Sequence, residues 1–468
     1  MSTNPPLGSQ VTFFQLTKQI TKQESAIFKQ GSDPSEIVNG EFFKTTLQPL
    51  VDSLKSLKAY QEKGISILQK CKDARPENIR RLNASILSEE SRMSDTVLTA
   101  FAIRMELVET RINKIIPIIN FLIKKQSKII IISHVGRPKG KLNTDLSLKP
   151  ICENVEKKIN KKIRLIKENI FKLKKEDLFE DPNDQIVFLE NIRFYEEEEK
   201  NDTNFAEHLA KLADLYVNDA FSCSHRAHAS VSKITEFLPS FAGLQLETEI
   251  SALKKVTSEI KKPITCIIGG SKISTKIGII KNLISKFDNI IIVGGMANNI
   301  IKYKGNQIGK SIKEENCDLM IEEIFETLKN HSCKIILPED VLIGKNLDDE
   351  PQVKKLNNIK DDDFILDIGP KTLDKIKSII ENSETILWNG PAGYFENPNF
   401  ANGSYEIAKA ITKKNKNNSI YSVVGGGDTI ALINKINAME NFNFVSTAGG
   451  AFLEYLEGKE LPGIKALN

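Results

Sequence analysis

The stretch Tyr421–Ile430, YSVVGGGDTI, contains the pattern on which most of this chain is built. An apolar run leads into three glycines and one acid, and apolar residues then recur at helical spacing. This order predicts a buried strand, a tight loop and the first turn of a helix. Glycines let backbone N–H groups approach an anion, and a helix N-terminus adds partial positive charge. Asp428 lies where a carboxylate can meet the Mg²⁺ of a nucleotide. The alternative is a glycine-rich turn that only packs.

The second half of the chain repeats this pattern. Seven apolar runs each end in a loop that bears glycine or proline. The runs are ITCIIGG, NIIIVGG, KIILPEDV, FILDIGP, TILWNGP, SIYSVVGGG and FVSTAGG. Continuous apolar runs predict strands that are buried on both faces, and hence a parallel sheet. Because ligands of doubly wound sheets bind outside the carboxyl ends of the strands, we expect seven strand ends at one edge and a nucleotide beside them.

The composition excludes several classes of function. The chain has 468 residues and a net charge of +4, with no basic tract that suggests nucleic acid. Its six cysteines are scattered without a CxxC pair, which is typical of free thiols in a reducing compartment. No apolar run approaches membrane-spanning length. We therefore expect a soluble cytoplasmic protein that binds no nucleic acid and no membrane, and we also expect it to be a monomer.

Residues 109–243 also alternate helix and strand, but here cationic residues follow the strands. The planar fork of arginine suits phosphate and carboxylate groups. His134 and His225 stand beside two of these arginines and fit as extra donors, although a lone histidine is more often structural. Four arginines of this half are candidates for anion binding: Arg111, Arg137, Arg193 and Arg226. The pattern predicts an anion site in the first half of the chain.

Two lysine-bearing stretches in the second half are interpreted differently. Lys272 and Lys276 follow a glycine pair directly after a strand, and their i, i+4 spacing predicts one face of a helix that starts at a phosphate-binding loop. The alternative is an ordinary basic helix face. Gly305–Ser311, GNQIGKS, is similar to a Walker A loop but has three residues between its glycines instead of four. It also follows the expected end of a helix, so we expect no phosphate cradle there.

We therefore predict an α/β protein with two doubly wound, Rossmann-like domains of parallel sheet. A hinge helix near Leu246–Val256 joins them. The first domain spans residues 93–243 together with a tail, 447–468, and the nucleotide domain spans 244–446. Residues 1–92 are predicted to form a helical extension. An anion site in one domain and a nucleotide site in the other predict phosphoryl transfer between ligands that closure brings together.

Segments across residues 109–468 resemble the phosphoglycerate kinase family and occur in family order. They are SHVGRPKG, ENIRF, NDAFSCSHRAHAS, GGSKISTKIG, GGMANN, LDIGPKT, LWNGPAGYFE, VVGGGDT, STAGGAFLE and LEGKELPG. The resemblance implies a glycolytic kinase that transfers the acyl phosphate of 1,3-bisphosphoglycerate to Mg-ADP, giving ATP and 3-phosphoglycerate. The alternative is a non-catalytic nucleotide-binding protein whose N-terminal helix docks a partner.

The resemblance also implies the roles of the site residues. Arg111 would contact the substrate and neutralise the transferring phosphoryl group, which Lys272 would support. Arg193 and Arg226 would hold the far phosphate or the carboxylate. The substrate loop would consist of His134, Val135, Gly136 and Arg137. On the nucleotide side, the phosphates would lie against Lys276, Gly425, Gly426 and Gly427, with Glu396 at the ribose and Asp428 at Mg²⁺.

The start of the chain departs from the family. The family opens with a strand and loop of the form R-V-D-F-N-V-P, whose aspartate and asparagine bind substrate. Residues 92–110 contain no such segment, and the first 108 residues match nothing else in the family. We therefore expect the first domain to lack one strand, with an exposed sheet edge unless residues 93–108 fill the gap. Weak substrate binding and poor turnover would follow.

The nucleotide half is complete in sequence, which generates a first prediction. Mg-ADP should bind to the wild-type chain, and Asp428→Ala should weaken the Mg²⁺ dependence of that binding, because the substitution removes the expected carboxylate ligand. Calorimetric titrations with ADP at several Mg²⁺ concentrations measure both effects. A wild-type chain that binds no ADP would contradict this assignment of the nucleotide half.

Overall fold

The computed structural model describes residues 11–15, 112–179, 181 and 184–468. These residues belong to two compact units. Unit 1 comprises the described residues up to Asp219 together with His228–Phe241, and unit 2 comprises Ala220–Ala227 and Ala242–Asn468. The helical extension predicted for residues 1–92 lies outside the described residues, apart from residues 11–15. The domain boundaries drawn from sequence remain predictions.

Unit 1 is built on a six-stranded sheet in the order β3-β4-β2-β1-β5-β6. Neighbouring strands from β1 to β5 pair in parallel. The strands are β1 (Val11–Gln15), β2 (Lys128–Ile132), β3 (Arg164–Ile166), β4 (Ile186–Leu189), β5 (Leu215–Asn218) and β6 (Ser240–Ala242). The helices are α1 (residues 112–124), α2 (Lys149–Ile159), α3 (Glu196–Glu199) and α4 (Thr203–Ala210).

Strand β2 shows why helices cover both faces of this sheet. Ile129 and Ile131 pack into a core cluster with residues of α1 and α2. Ile130 and Ile132 pack into a second cluster with residues of α4. Successive side chains of a strand point to opposite faces, so a run of isoleucines must be covered on both sides. The apolar run KIIII thus explains the parallel α/β architecture of this unit.

Strand β1 corrects the expectation that the first domain lacks a strand. The backbone of β1 pairs with β2 on one side, Val11 opposite Lys128, and with β5 on the other, Thr12 opposite Leu215. The gap between β2 and β5 is therefore filled by residues 11–15. Parallel pairing uses only backbone donors and acceptors, so a short run rich in Phe, Val and Thr can take this place without the family's aspartate and asparagine.

Unit 2 contains a six-stranded parallel sheet in the order β15-β14-β13-β7-β8-β9. A second sheet of three antiparallel strands has the order β11-β10-β12. The strands are β7 (Ile264–Ile268), β8 (Asn289–Ile292), β9 (Lys334–Ile336), β10 (Asp340–Gly344), β11 (Gln352–Lys355), β12 (Phe364–Ile368), β13 (Thr385–Asn389), β14 (Tyr421–Gly425) and β15 (Phe444–Ser446).

The second sheet corrects the prediction that seven strand ends meet at one edge. Six of the seven runs form the parallel sheet, but FILDI becomes β12 and pairs antiparallel with β10. An apolar run predicts a buried strand, but it does not indicate whether the neighbouring strand is parallel or antiparallel. The direction is decided by β10, which follows β9 closely and gives β12 an antiparallel neighbour.

Helices cover the parallel sheet of unit 2, and the last ones return to it. They are α5 (Leu244–Thr257), α6 (Ile277–Ile284), α7 (Gly294–Tyr303), α8 (Asp318–Lys329), α9 (Pro370–Glu381), α10 (Asn402–Lys416), α11 (Gly427–Lys435), α12 (Gly450–Leu456) and α13 (Pro462–Lys465). The tail contacts the segment that begins at Ala220: the rings of Phe221 and Tyr455 lie 6.4 Å apart, and the Gly463 N–H donates to the Ser224 carbonyl at 2.8 Å.

Two smaller expectations can be compared with the described part of the chain. Every helix there is too short or too polar to cross a membrane. The five described cysteines are free thiols, as predicted, and all five are buried.

The central place of β1 generates the second prediction. Phe13→Pro removes a backbone donor from a strand that is paired on both sides, so it should destabilise unit 1 by about 1–3 kcal/mol. Scanning calorimetry should record a fall in Tm of about 5 °C or more. Phe13→Val keeps the donor and the strand propensity and is the matched control. Equal melting of the two variants would contradict the pairing of β1.

Candidate functional site

A cavity of about 490 Å³ lies in unit 2 at the ends of the parallel strands. Glycine pairs after β7 and β8, the loop after β13 and the start of α11 contribute to its lining. The lining includes Gly270, Gly294, Gly295, Pro391, Glu396 and Asp428. Four of the glycine-bearing strand ends therefore line one cavity, and its binding of a nucleotide remains a prediction.

Two strand ends approach so closely that only glycine fits between them. A Cβ on Gly269 would lie 2.2 Å from the carbonyl oxygen of Pro391, and a Cβ on Gly390 would lie 2.3 Å from that of Gly269. Gly390 also has a φ of +104°, which L side chains rarely adopt. The backbones of the two strand ends therefore meet without side chains between them, next to Gly270 and Pro391 of the cavity lining.

The opening stretch forms the strand, loop and helix that its sequence predicted. Strand β14 ends at Gly425, Gly426 has a φ of +98°, and α11 begins at Gly427. A Cβ on Gly427 would meet nothing within 4 Å, so open space lies before the helix N-terminus. Asp428 lies in the first turn of α11. This arrangement suits a phosphate at the helix end with a carboxylate beside it.

The two lysines do not share a helix face, which corrects the sequence prediction. Helix α6 begins at Ile277, with Lys276 as its N-cap residue, and Lys272 lies in the preceding turn. The Lys276 N–H donates to the Ile273 carbonyl at 3.0 Å, and Ser274 donates to Glu314 instead of continuing a helix. The phosphate-binding role of these lysines remains a prediction. Lys272 is exposed at the surface of the turn.

Lys276 connects three strand ends. Its Nζ donates to the Gly269 carbonyl, and to Oδ1 of Asn389 at 2.6 Å. Burial lowers the pKa of Lys276 to about 8. In return, the Asn389 amide donates to the Gly425 carbonyl at 2.8 Å. A cationic amine is thereby held between the end of β7 and the glycine loop after β14.

Asn389 and Thr429 are site residues that the sequence analysis did not single out. Asn389 ends β13 and is 3% exposed, and Thr429 accepts the Gly390 N–H through Oγ1 at 2.7 Å. A polar residue that directly follows an apolar run, as in LWNGP, is the signal that could have identified Asn389. Thr429 gives no comparable signal, because its partner lies 39 residues away in sequence.

The segment GNQIGKS forms a wall of the same cavity. Helix α7 ends at Tyr303 before it, as predicted, and no strand leads into it. Gly309 bridges to Phe364 of β12, and both Lys310 and Ile312 line the cavity. Sequence analysis treated this segment only as a failed Walker A loop and did not place it at the site. Glu396 also lines the cavity, and burial raises the pKa of its carboxyl group.

In unit 1 the predicted substrate loop follows β2. His134 and Val135 are buried, Gly136 has a φ of +65°, and Arg137 is exposed. The ENIRF segment supports this loop: Asn191 donates to the carbonyls of Val135 and Leu146 at 2.8 and 2.9 Å. Asn191 is a third residue that the sequence analysis missed.

The four predicted arginines have different surroundings. Arg193 is completely buried, donates to the Gly136 carbonyl at 3.3 Å and lies 3.7 Å from Glu199, so it braces the substrate loop. Arg226 belongs to unit 2, where its Nε donates to the His225 ring at 3.2 Å. Arg111 lies outside the described residues. The substrate contacts of all four remain predictions.

A glycine-lined cavity at a sheet edge, with a partly buried lysine and a helix N-terminus nearby, is typical of α/β enzymes that bind a nucleotide. The family model described as phosphoglycerate kinase matches residues 105–459. The chain belongs to the phosphoglycerate kinase family.

Curated relatives and solved structures agree with this assignment. The phosphoglycerate kinase of Wolbachia pipientis subsp. Culex pipiens (strain wPip) is 46% identical over 359 residues, which cover 76% of this chain and 90% of the relative. The phosphoglycerate kinase of Dictyoglomus turgidum is 42% identical, and the match covers 77% of this chain and 90% of that relative. The solved structure of phosphoglycerate kinase from Coxiella burnetii is 37% identical in sequence and has a TM-score of 0.71. The match covers 76% of this chain and 90% of that structure. The comparisons favour the kinase over the non-catalytic alternative.

Strand β1 precedes the part of the chain that the family model matches. Residues 10–16, QVTFFQL, keep the valine and the first phenylalanine in register with the family segment R-V-D-F-N-V-P. Thr12 and Phe14 then stand at the positions of its aspartate and asparagine. Residues 11–15 thus form a strand of this sheet without the polar residues of the family segment, which is why sequence analysis did not find it.

The lowered pKa of Lys276 generates the third prediction. The amine should lose its charge as the pH rises through about 8, instead of above 10, so Mg-ADP affinity should fall between pH 7.5 and 9.5. A charge-assisted hydrogen bond contributes about 1.5–3 kcal/mol, so the loss should reach about tenfold or more. Calorimetry of Lys276→Met should show weak binding with a flat pH profile, and Lys281→Met, on the exposed side of α6, is the control. A wild-type affinity that is constant over this range would contradict the role of Lys276.

Proposed function

We propose that this chain transfers the acyl phosphate of 1,3-bisphosphoglycerate to Mg-ADP and so forms ATP and 3-phosphoglycerate. The observation that carries the proposal is the link from Lys276 through Asn389 to Gly425, at the edge of a glycine-lined cavity. Phosphoryl transfer depends mainly on positioning and charge neutralisation, and this network holds a cation beside the glycine loop where the nucleotide phosphates would lie.

The residues present fit a magnesium nucleotide. Among the described residues, no cluster of three or more His, Cys, Asp or Glu could hold a metal by itself. Mg²⁺ is usually bound by one or two carboxylates together with substrate phosphates, so Asp428 in the first turn of α11 is an appropriate single ligand. When bound, Mg²⁺ would neutralise phosphate charge. The backbone N–H groups of Gly426 and Gly427 would meet the phosphates, and Glu396 would accept from the ribose.

The substrate side of the proposal rests on unit 1 and on Arg111. The loop of His134, Val135, Gly136 and Arg137 would receive the phosphorylated acid, and buried Arg193 would hold the loop in shape. Thr12 and Phe14 replace two polar substrate contacts of the family, so we infer weaker binding of 3-phosphoglycerate than in its relatives. A reacting group displaced by about 1 Å can cost on the order of a hundredfold in rate, so turnover should also be low.

Other parts of the proposal rest on the sequence and on the family. We propose that α5 acts as the hinge between the domains, and that the protein is a cytoplasmic monomer without nucleic-acid or membrane partners. The near-neutral charge of +4 supports the absence of a nucleic-acid partner.

The fourth prediction tests the proposed reaction. Purified full-length chain should form ATP from ADP in a coupled assay that supplies 1,3-bisphosphoglycerate, and Lys272→Ala should lower kcat by about a hundredfold with little change in the KM for ADP. A lower kcat with a nearly unchanged KM is expected because Lys272 would act on the transferring group in the transition state.

Lys286→Ala, a lysine just after α6, serves as the matched control and should keep the wild-type rate. A wild-type chain that binds Mg-ADP but forms no ATP would instead support the non-catalytic alternative. A Lys272→Ala variant whose only defect is a higher KM would contradict the transition-state role.

A further inference from the structure

The turn that carries Lys272 and Lys276 is held by a residue outside the motifs of the family. The Glu314 carboxylate accepts both the N–H of Ser274, at 3.0 Å, and the hydroxyl of the same serine. These hydrogen bonds, together with one from the Ile273 N–H and the nearby charge of Lys272, hold the pKa of Glu314 below its usual value. A single carboxylate therefore fixes the middle of the lysine-bearing turn.

Glu314 is itself anchored to the frame of unit 2. Its N–H donates to Oδ1 of Asn299 in α7 at 2.8 Å. Asn298, one residue earlier, donates to the Ile312 carbonyl at 3.1 Å. The side chains of Asn298 and Asn299 are both buried, so this end of the segment is tied to a helix that cannot shift freely.

The residues before Glu314 run along the nucleotide cavity. We call Ile308–Glu314 the connecting segment. Lys310 and Ile312 line the cavity, and Ile312 is 57% exposed there. The segment is pinned to β12, since the Lys310 N–H donates to the Asp363 carbonyl at 2.8 Å and Ser311 Oγ accepts the Ile365 N–H at 2.7 Å. One end of the connecting segment thus borders the cavity and the other end holds Ser274.

We propose that Glu314 is a positioning residue that sets the place of Lys272 and couples it, through the connecting segment, to occupancy of the nucleotide cavity. This inference rests on the proposed function, because it gives Lys272 a bound nucleotide to act upon. When the base and ribose of a nucleotide contact Lys310 and Ile312, that contact shifts the position of Glu314, which lies two residues beyond Ile312. Because Glu314 is hydrogen-bonded to Ser274, a shift of Glu314 also moves Ser274 and the turn that holds Lys272.

The test uses adenosine, which has the base and ribose but no phosphate for Lys272 to bind. Acylation of Lys272 by a small amine-reactive reagent is followed residue by residue by mass spectrometry, with and without saturating adenosine. We expect adenosine to change the Lys272 rate by about threefold or more in the wild type. Glu314→Ala should abolish that response, and Glu314→Gln, which keeps one acceptor, should restore part of it.

Glu315→Ala is the matched control, because Glu315 is the adjacent acid. In the described part of the chain its ion-pair partner is Lys313, at 2.8 Å. It should keep the wild-type adenosine response. Ser274→Ala removes the hydroxyl donor but keeps the backbone N–H that also donates to Glu314, so it should weaken the response partway. The test therefore does not depend on the folding of one Glu314 variant. In steady-state assays, Glu314→Ala and Ser274→Ala should lower kcat by about tenfold while the KM for ADP stays within about threefold.

The inference is overturned if Glu314→Ala and Ser274→Ala respond to adenosine as Glu315→Ala does, or if the wild type does not respond. A defect confined to the KM for ADP would overturn it as well. Acylation requires no turnover, so a wild-type chain that forms no ATP would defeat the proposed function while the adenosine response still decides the role of Glu314.

Discussion

The glycine-lined cavity of unit 2 depends on the close approach of backbone at the carboxyl ends of β7 and β13. Gly269 donates its N–H to the Asn389 carbonyl at 2.9 Å, and neither Gly269 nor Gly390 has room for a Cβ. Because two main chains meet without side chains between them, the loops after both strands can turn toward the same space. A methyl group at either glycine would push the strand ends apart and with them the two walls of the cavity.

This approach also explains why a buried lysine is tolerated. Removing an ammonium group from water is costly unless its donors are satisfied, and the strand ends supply the carbonyl of Gly269 and the amide oxygen of Asn389. The same Asn389 amide holds Gly425, so the position of the cation and the shape of the glycine loop are set together. A phosphate arriving at this loop would find the positive charge already oriented, which is the preorganisation that phosphoryl transfer requires.

Unit 1 shows a different relation between sequence and structure. Its sheet is completed by β1, although the residues of that strand no longer carry the family's aspartate and asparagine. A sheet position needs backbone pairing and suitable propensity, whereas a substrate contact needs a particular functional group at a particular atom. The two requirements can therefore separate during divergence, so that an intact sheet can border an altered substrate site.

Sequence alone determined the α/β class and most of the parallel strands, because continuous apolar runs are local signals; the roles of the predicted site residues remain predictions. It also identified the family over residues 109–468, which the match over residues 105–459 confirms. Only the tertiary structure placed β1 between β2 and β5 and paired β12 antiparallel with β10. It also brought Lys310 of GNQIGKS to the lining of the cavity and Glu314 to Ser274. Asn389 and Ser274 likewise acquire their roles from partners that lie 113 and 40 residues away in sequence. Strand partners and side-chain contacts of this kind depend on which segments pack together, and no local pattern of residues contains that information.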